Sequence, residues 1–178
     1  YSGGKDSTAL VTWIEHLRRA GIVGSHVKPC LVQYDTGVEY PFLYQISERL
    51  TGLLTESGWH CEVVRPRLKD KLYNQIFGRG VTPVHPAMKN MRWCTRATKV
   101  DPMERFAKTL GSNVLQLSGV RWGESKQRDG RLSLGGCSAG GECGLPIMGD
   151  RVYGPIITWT TCQVVDWLQG LTLVSGTV

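Results

Sequence analysis

The chain has 178 residues, of which 41% are apolar and 20% charged, a globular composition that excludes an intrinsically disordered protein. It contains no run of 18 uncharged apolar residues and no basic-then-apolar leader, so neither a membrane span nor a secretory signal is indicated. Twenty-one basic against fifteen acidic residues give a net charge of +6, which favours a polyanionic partner without identifying one. Six cysteines are too few and too irregularly spaced for a small disulfide scaffold, and they favour metal or sulfur chemistry in a cytoplasmic protein.

Helix and strand patterns alternate along the chain. Apolar residues recur at helical spacing over 7–20 and 41–57, and a further helix is expected from about 101 to 110. Short apolar runs predict strands at 29–34, 61–65 and 114–120. Strands that alternate with helices predict an α/β fold, with a mostly parallel twisted sheet and helices on both faces.

We expect a single domain over residues 1–178. A sheet of this kind needs a strand before its first glycine turn, and only Tyr1 of that strand is present. The chain is therefore expected to be truncated at its N-terminus, with its first strand largely missing. Two stretches lack periodicity, 68–90 and a cysteine-containing loop region at 123–153. Such loops gather at the carboxyl ends of strands in α/β folds, where ligands bind.

The segment Ser2-Gly3-Gly4-Lys5-Asp6-Ser7 leads directly into the first predicted helix. Adjacent glycines let the backbone turn tightly and approach a ligand without a Cβ in the way. The helix start offers N–H groups and a positive dipole end, to which Lys5 adds a charge and Ser2 and Ser7 add hydroxyls. The segment lacks the upstream glycine of ordinary P-loops. It predicts a phosphate site, although a plain helix-capping loop has the same features.

This segment resembles the PP-loop of ATP pyrophosphatases, and more narrowly that of the phosphoadenosine phosphosulfate (PAPS) reductase-like branch. Three further segments match that branch in chain order. They are Asp35-Thr36-Gly37, then Gly119-Val120-Arg121-Trp122-Gly123-Glu124-Ser125 with Arg128, and finally Pro155-Ile156-Ile157-Thr158-Trp159-Thr160 with Val165 and Trp167. The resemblance extends along nearly the whole chain and implies an adenine nucleotide alpha-hydrolase-like, Rossmann-like fold.

The same resemblance implies a nucleotide site. PP-loop proteins split a nucleotide between its α- and β-phosphates or bind a related adenylyl compound. Residues 2–7 would hold the phosphates of ATP, and Asp35-Thr36-Gly37 would lie near the nucleoside. The polar motif residues expected to complete the site are Lys99, Arg121, Glu124, Ser125 and Arg128. Magnesium is expected, with Asp6 as the nearest candidate ligand; a carboxylate stabilised by the helix dipole is the alternative role for Asp6.

Cys94, Cys137 and Cys143 are the candidate working cysteines. The segment Arg92-Trp93-Cys94-Thr95 with Lys99 most resembles the sulfurtransferases of bacterial DNA phosphorothioation, the DndC and SspD type, some of which bind a [4Fe–4S] cluster. The resemblance implies these three thiolates as cluster ligands, with the fourth ligand missing from the pattern. The remaining cysteines fall in predicted strands or at the start of a late helix and are expected to be structural: Cys30, Cys61 and Cys162.

Cys143 has a second interpretation. Glu142-Cys143-Gly144-Leu145 resembles the segment that carries the nucleophilic cysteine of PAPS reductases without a cluster. Here proline follows instead of histidine, and the segment precedes the Pro155 motif instead of ending the chain. In either role, a thiolate beside basic residues would be activated and could carry a persulfide.

Twelve of the basic residues cluster in three segments, 65–71, 89–99 and 121–131. A solvated surface is the ordinary explanation, and we prefer it for Lys69 and Lys71. Arginines and lysines within the motifs are better suited to bind nucleotide or sulfate-like oxyanions, while a groove for a DNA backbone could use the same charge. Trp93 and Trp122 could stack on a base, or they could pack in the core.

These features favour an ATP pyrophosphatase-type sulfurtransferase of DNA backbone phosphorothioation. Its candidate catalytic residues are Lys5, Asp6, Cys94 and Cys143, and its expected partners are DNA, a cysteine desulfurase as sulfur donor and other phosphorothioation proteins. One alternative is a PAPS or adenosine phosphosulfate (APS) reductase of sulfate assimilation. Another is a non-catalytic nucleotide-binding subunit of a DNA-modification complex. A tRNA-thiolating enzyme is less favoured, because the Gly119–Ser125 motif matches the reductase-like branch.

Overall fold

The computed structural model describes residues 1–82, 93–111, 113–124, 129, 147–149 and 152–175, the side chains of 147–149 and 172–175 excepted. The chain forms two compact units, each assembled from separate stretches. Unit 1 comprises Tyr1–Ser2 and Lys28–Asn113, and unit 2 comprises Gly3–Val27 and the residues from Val114 onward. The single domain expected over 1–178 stays a prediction.

Unit 1 is built on a β-α-β motif. Strand β1 (Cys30–Tyr34) leads into helix α2 (Pro41–Glu56), which returns the chain to strand β2 (His60–Val64). The two strands pair in parallel, with Cys30 opposite His60. Proline at the first position of α2 suits a helix start, since that N–H has no helical partner. This order matches the predicted strand–helix–strand pattern.

The core of unit 1 lies between α2 and the strands. Helix α2 packs against β2, and the buried apolar side chains of the unit include Leu31, Leu54, Trp59 and Val64. The backbone of Tyr1 hydrogen-bonds to Val32, and its carbonyl accepts a hydrogen bond from the Tyr34 N–H at 3.3 Å. The residue that precedes the glycine turn therefore lies alongside β1.

The rest of unit 1 is irregular helix. A 3₁₀ turn (Leu68–Asp70) is followed by a π-helical turn (Asn74–Gly78). A longer helical segment comprises α3 (Trp93–Thr95), a π-helical stretch (Arg96–Val100) and α4 (Asp101–Ala107). The apolar pattern of 68–82 does not predict a helix, because i→i+5 turns depart from the 3.6-residue period. Residues 83–90 of the non-periodic stretch lie outside the described residues.

Unit 2 contains helix α1 (Lys5–Arg19), three short strands and helix α5 (Thr161–Ser175). Strand β5 (Val152–Tyr153) lies between β3 (Gln116–Leu117), with which it is parallel, and β4 (Ile147–Gly149), with which it is antiparallel. Helices α1 and α5 pack together. The buried apolar residues of this unit include Ala9, Leu10, Val11, Ile156, Ile157 and Val164.

Three tryptophans join α1 to the C-terminal segment of unit 2. The Trp13 and Trp159 rings meet edge to face at a centroid distance of 5.7 Å, and Trp159 meets Trp167 at 6.1 Å. The Trp167 indole N–H donates to the Thr12 hydroxyl over 3.0 Å. Edge-to-face aromatic pairs add stability beyond the area they bury, so this cluster secures the backbone on which Trp159 lies.

The predicted α/β class with parallel strand pairs is confirmed. The strand expected at 114–120 is confined to Gln116–Leu117, and β4 and β5 lie within the region expected to be a loop at 123–153. Strands of three and two residues are too short to show an alternating pattern, which explains why the sequence does not predict them. None of the described helices combines the length and the apolar character that crossing a membrane requires.

Candidate functional site

The glycine turn of unit 2 leads into α1 as the sequence predicts. Gly3 has a φ of 73°, which L side chains rarely adopt, and Gly4 is extended as the N-cap of α1. The Gly4 carbonyl accepts hydrogen bonds from the hydroxyls of Ser7 and Thr8, each at 2.9 Å. Among the described residues no side chain caps the helix at Gly4, so the positive end of α1 suits an anion.

Asp6 binds two cations at the start of α1. Its Oδ2 accepts a hydrogen bond from Lys5 Nζ at 2.9 Å, and its Oδ1 accepts one from Arg121 Nε at 2.6 Å. Burial is the largest single influence and raises the pKa of Asp6, but the hydrogen bonds and charges of Lys5 and Arg121 together lower it below its ordinary value. The carboxylate is therefore held in its charged form. Lys5 keeps about half of its side chain exposed beside the turn, at 48%.

Arg121 is the buried centre of this arrangement, since its side chain is only 4% exposed. Its Nη1 donates to the Trp159 carbonyl over 3.0 Å, and the guanidinium reaches the Thr161 hydroxyl at 3.5 Å. The motif that contains Arg121 predicts it to be a nucleotide ligand. Its partners among the described residues are protein groups, and a direct role in nucleotide binding stays a prediction.

Gly119 lies directly against the start of α1. A Cβ placed on Gly119 would lie 3.1 Å from the backbone oxygen of Asp6 and 3.2 Å from the Ser7 nitrogen, tighter than ordinary van der Waals contact. The glycine that opens the Gly-Val-Arg motif thus allows the segment after β3 to approach the glycine turn. The sequence assigns Gly119 to a motif but does not predict this contact.

In unit 1, Asp35 organises the turn that follows β1. Its Oδ1 accepts hydrogen bonds from the Gly37 N–H at 2.9 Å and the Tyr44 hydroxyl at 2.8 Å. Its Oδ2 accepts one from Arg65 Nε at 2.8 Å. Burial, the largest influence, raises the pKa of Asp35, but the Arg65, Tyr44 and Gly37 hydrogen bonds bring it below the ordinary value. Tyr44 and Arg65 were not among the predicted site residues, yet both bind Asp35.

Two predicted nucleotide residues of unit 1 share an acidic partner. The buried Thr36 hydroxyl donates to Glu39 Oε1 over 2.9 Å, and Lys99 Nζ lies 3.9 Å from the same oxygen. The π-helical stretch therefore brings Lys99 to the Asp35-Thr36-Gly37 turn. Glu39 was not among the predicted site residues, and since α2 begins at Pro41, neither Thr36 nor Glu39 occupies a helix-capping position that would have indicated it.

Of the three candidate cluster ligands, the structure describes Cys94 alone. Cys94 is half-buried in α3, and its backbone carbonyl accepts the Thr98 hydroxyl at 2.8 Å. Cys137, Cys143, Ser125 and Arg128 lie outside the described residues. Within the described part of the chain, no three His, Cys, Asp or Glu side chains gather into a possible metal site. The iron–sulfur cluster stays a prediction.

The three cysteines that were expected to be structural differ in their exposure to solvent. Cys30 and Cys61 lie in β1 and β2 and are half-buried, and burial raises the pKa of the Cys30 thiol. Cys162 is exposed in the first turn of α5, so the expectation of a core residue is wrong there. Its neighbours Thr161 and Gln163 are exposed as well, because this turn of the helix lies on the protein surface.

The structure describes four further candidate residues, and their roles in ligand binding stay predictions. Ser2 is exposed, and Glu124 is half-buried after the Trp122–Gly123 turn. The Trp93 indole N–H donates to the Thr82 carbonyl over 3.2 Å, while the Trp122 backbone N–H donates to the Ile157 carbonyl. Both tryptophans are thus tied to the protein, and stacking on a base stays a prediction.

The chain matches a known protein family along almost its whole length. The family model described as "Phosphoadenosine phosphosulfate reductase domain" matches residues 1–174. Neither the curated proteins nor the solved structures contain a match to the chain. The matched range includes the glycine turn, the half-buried carboxylates Asp6 and Asp35, and the Arg121 segment.

Proposed function

Because the chain belongs to the phosphoadenosine phosphosulfate reductase domain family, whose enzymes act on nucleotides in sulfur chemistry, we propose that it is an ATP pyrophosphatase-type sulfurtransferase. In the proposed reaction, a phosphate oxygen of the DNA backbone attacks the α-phosphorus of ATP. The bond to the β-phosphate breaks, pyrophosphate leaves and the acceptor becomes an adenylate. Sulfur then replaces the activated oxygen, and AMP leaves.

The observation that carries the proposal is the position of Lys5 at the start of α1, where none of the described side chains caps the helix. Asp6 holds Lys5 Nζ at 2.9 Å and is itself held by the buried Arg121. A lysine fixed beside backbone N–H groups suits the negative charge that grows on pyrophosphate as it leaves. In this proposal, Lys5 and the glycine turn stabilise the negative charge on the leaving pyrophosphate. Asp6 and Arg121 hold Lys5 and the turn in position.

Magnesium would help to neutralise the phosphates, and Asp6 is the residue proposed to hold it. Both Asp6 oxygens already accept a hydrogen bond from a cationic side chain. A metal ion bound there would share an oxygen with Lys5 or Arg121, since each carboxylate oxygen has two lone pairs. The donor fits magnesium chemically, because hard oxygen ligands suit this ion.

A cysteine persulfide is the proposed sulfur carrier, charged by a cysteine desulfurase and assisted by other phosphorothioation proteins. Its terminal sulfur would attack the adenylated phosphorus and expel AMP. A second thiolate would then attack the cysteine sulfur, form a disulfide and leave sulfur on the phosphate. Cys94 and Cys143 are the proposed carriers. If they serve instead with Cys137 as cluster ligands, iron and acid-labile sulfide will be found in anaerobically prepared protein and will be lost in Cys94→Ala.

Pyrophosphate release from ATP, measured with magnesium and a DNA acceptor, tests the proposal. Lys5→Ala should slow release about 100-fold, as expected when one preorganised charge is removed. Lys108→Ala removes an exposed cation of unit 1 after α4 and is the matched control, with no expected effect. Equal rates in wild type and Lys5→Ala would exclude the catalytic role of the glycine turn.

The family match also favours a second candidate, a PAPS or APS reductase. Sulfite release from either compound with thioredoxin, lost in Cys143→Ser, would support the reductase instead. Tight ATP binding without pyrophosphate or sulfite release, even with partners present, would instead indicate a non-catalytic nucleotide-binding subunit. The three outcomes differ in their measured products.

A further inference from the structure

A rigid, solvent-facing platform lies in unit 1 between β2 and α3. Its 3₁₀ turn and its π-helical turn are tied together by side chains. The Asn74 amide donates to the Leu68 carbonyl over 2.5 Å, and the Gln75 amide donates to the Lys69 carbonyl over 2.8 Å. Gln75 is buried. Residues 67–79 are therefore held as one folded surface, hereafter the 67–79 platform.

Two aromatic rings are presented by this platform. Tyr73 and Phe77 stack at a centroid distance of 6.1 Å with an interplanar angle of 11°. They remain 58% and 80% exposed, although burying such rings is strongly favourable. A preformed pair of nearly parallel rings at the surface suits a planar, unsaturated ligand that can stack on them.

Four cations belong to the same platform as the rings. Arg67, Lys69, Lys71 and Arg79 are all exposed, and with Asp70 as the sole acidic residue they give the platform a net charge of +3. None of the four forms an ion pair with a carboxylate in the part of the chain that the structure describes. By contrast, Lys5, Arg65, Lys99 and Arg121 all have acidic partners.

We propose that the 67–79 platform binds a single-stranded nucleic acid. Exposed aromatic rings stack on bases while nearby cations contact the phosphates, which is the usual chemistry of single-strand recognition. A duplex is excluded as the preferred ligand because its bases are already stacked on one another. The identification of this nucleic acid as the sulfur acceptor rests on the proposed function. Lys69 and Lys71, which were expected to belong to a solvated surface, would then contact phosphates.

Fluorescence anisotropy with a labelled 20-nucleotide DNA strand, its RNA equivalent and the DNA duplex tests this inference without ATP. Both single strands should bind more tightly than the duplex, and the ratio of their affinities identifies the preferred backbone. Tyr73→Ala/Phe77→Ala should weaken single-strand binding at least about tenfold at every salt concentration, because each stacked base contributes strongly. Lys69→Gln/Lys71→Gln should reduce the slope of log affinity against log salt by about 0.7 for each phosphate contact removed.

The chain contains a matched control. Tyr40 and Phe42 are also stacked and exposed, but residues 36–48 contain Glu39 and Glu48 and no lysine or arginine. Tyr40→Ala/Phe42→Ala should therefore leave binding unchanged. Tighter binding to the duplex, or equal loss in the two ring variants, would overturn the inference. If the Tyr73/Phe77 variant does not fold, the salt slope of the lysine variant decides in the same way.

Failure of this inference and failure of the proposed function can be told apart. If the protein binds a single strand but releases no pyrophosphate, the inference about the 67–79 platform is supported and the sulfurtransferase proposal is rejected. If the protein binds no single strand and Tyr73→Ala/Phe77→Ala leaves pyrophosphate release unchanged, the inference about the platform is rejected. The proposed nucleotide chemistry of unit 2 is then still supported.

Discussion

The Nε of Arg121 lies 2.6 Å from Oδ1 of Asp6, although the two residues are 115 positions apart in the chain. Arg121 is buried and also donates to the Trp159 carbonyl. One guanidinium thus joins the start of α1 to the segment that precedes α5. The orientation of Lys5, which Asp6 holds, depends on this distant residue.

Removing the guanidinium should destabilise the protein. Arg121→Met leaves the Asp6 charge and the Trp159 carbonyl without their buried partner, and we expect a loss of about 3 kcal/mol in the free energy of unfolding. Arg121→Lys should lose less, because it keeps the charge but not the planar fork. Urea unfolding measures both. The exposed pair of Arg96 with Asp101 provides the control, since Arg96→Met should cost less than about 1 kcal/mol.

Stability should fall in acid as Asp6 takes up a proton. Its folded pKa lies below the ordinary value of 3.8, so the unfolded chain binds the proton more readily. The Asp6 contribution is complete above about pH 5 and is lost as the pH falls through the folded pKa. Urea unfolding between pH 3 and 6 should show a shallower decline for Asp6→Asn than for wild type. An equally steep decline in both proteins would assign the acid sensitivity to other groups.

Gly119→Ala should disturb the glycine turn. The added methyl group would press on the Asp6 and Ser7 backbone, and we expect a loss of about 1–3 kcal/mol together with slower pyrophosphate release. Gly170→Ala in α5 is the matched control, because its Cβ meets nothing within 4 Å. That helical substitution should stabilise the protein by up to about 1 kcal/mol. A lower Tm for Gly119→Ala and a higher Tm for Gly170→Ala, each relative to wild type, would support the contact at Gly119.

The Thr36–Glu39 hydrogen bond can be separated from the Lys99–Glu39 ion pair. Glu39→Gln keeps an oxygen that accepts the Thr36 hydroxyl, whereas Glu39→Ala leaves this buried hydroxyl without its partner. We expect a loss of about 1–3 kcal/mol for alanine and less than about 1 kcal/mol for glutamine. Chemical denaturation measures the difference. Equal losses in the two variants would mean that the charge of Glu39, and not the hydrogen bond, stabilises the turn.

Regular elements were largely predictable from local patterns. The stripe of Ala9 and Leu10 predicts α1, and the apolar run at Leu31 predicts β1, because burial on one side of an element imposes its period on the sequence. The 3₁₀ and π-helical turns and the strands β3 to β5 were not predictable in detail. Their length or hydrogen-bond spacing leaves no repeating pattern to recognise.

The amino-acid sequence by itself determined the order of helices and strands, the glycine turn before α1 and the motifs that identify the family. These features follow from backbone preferences and periodicities within short stretches of chain. Only the tertiary structure decided that Arg121 would bind Asp6 and that Lys99 would lie near Glu39. Such contacts join residues whose separation along the chain carries no information about their distance, and packing of the whole unit determines them.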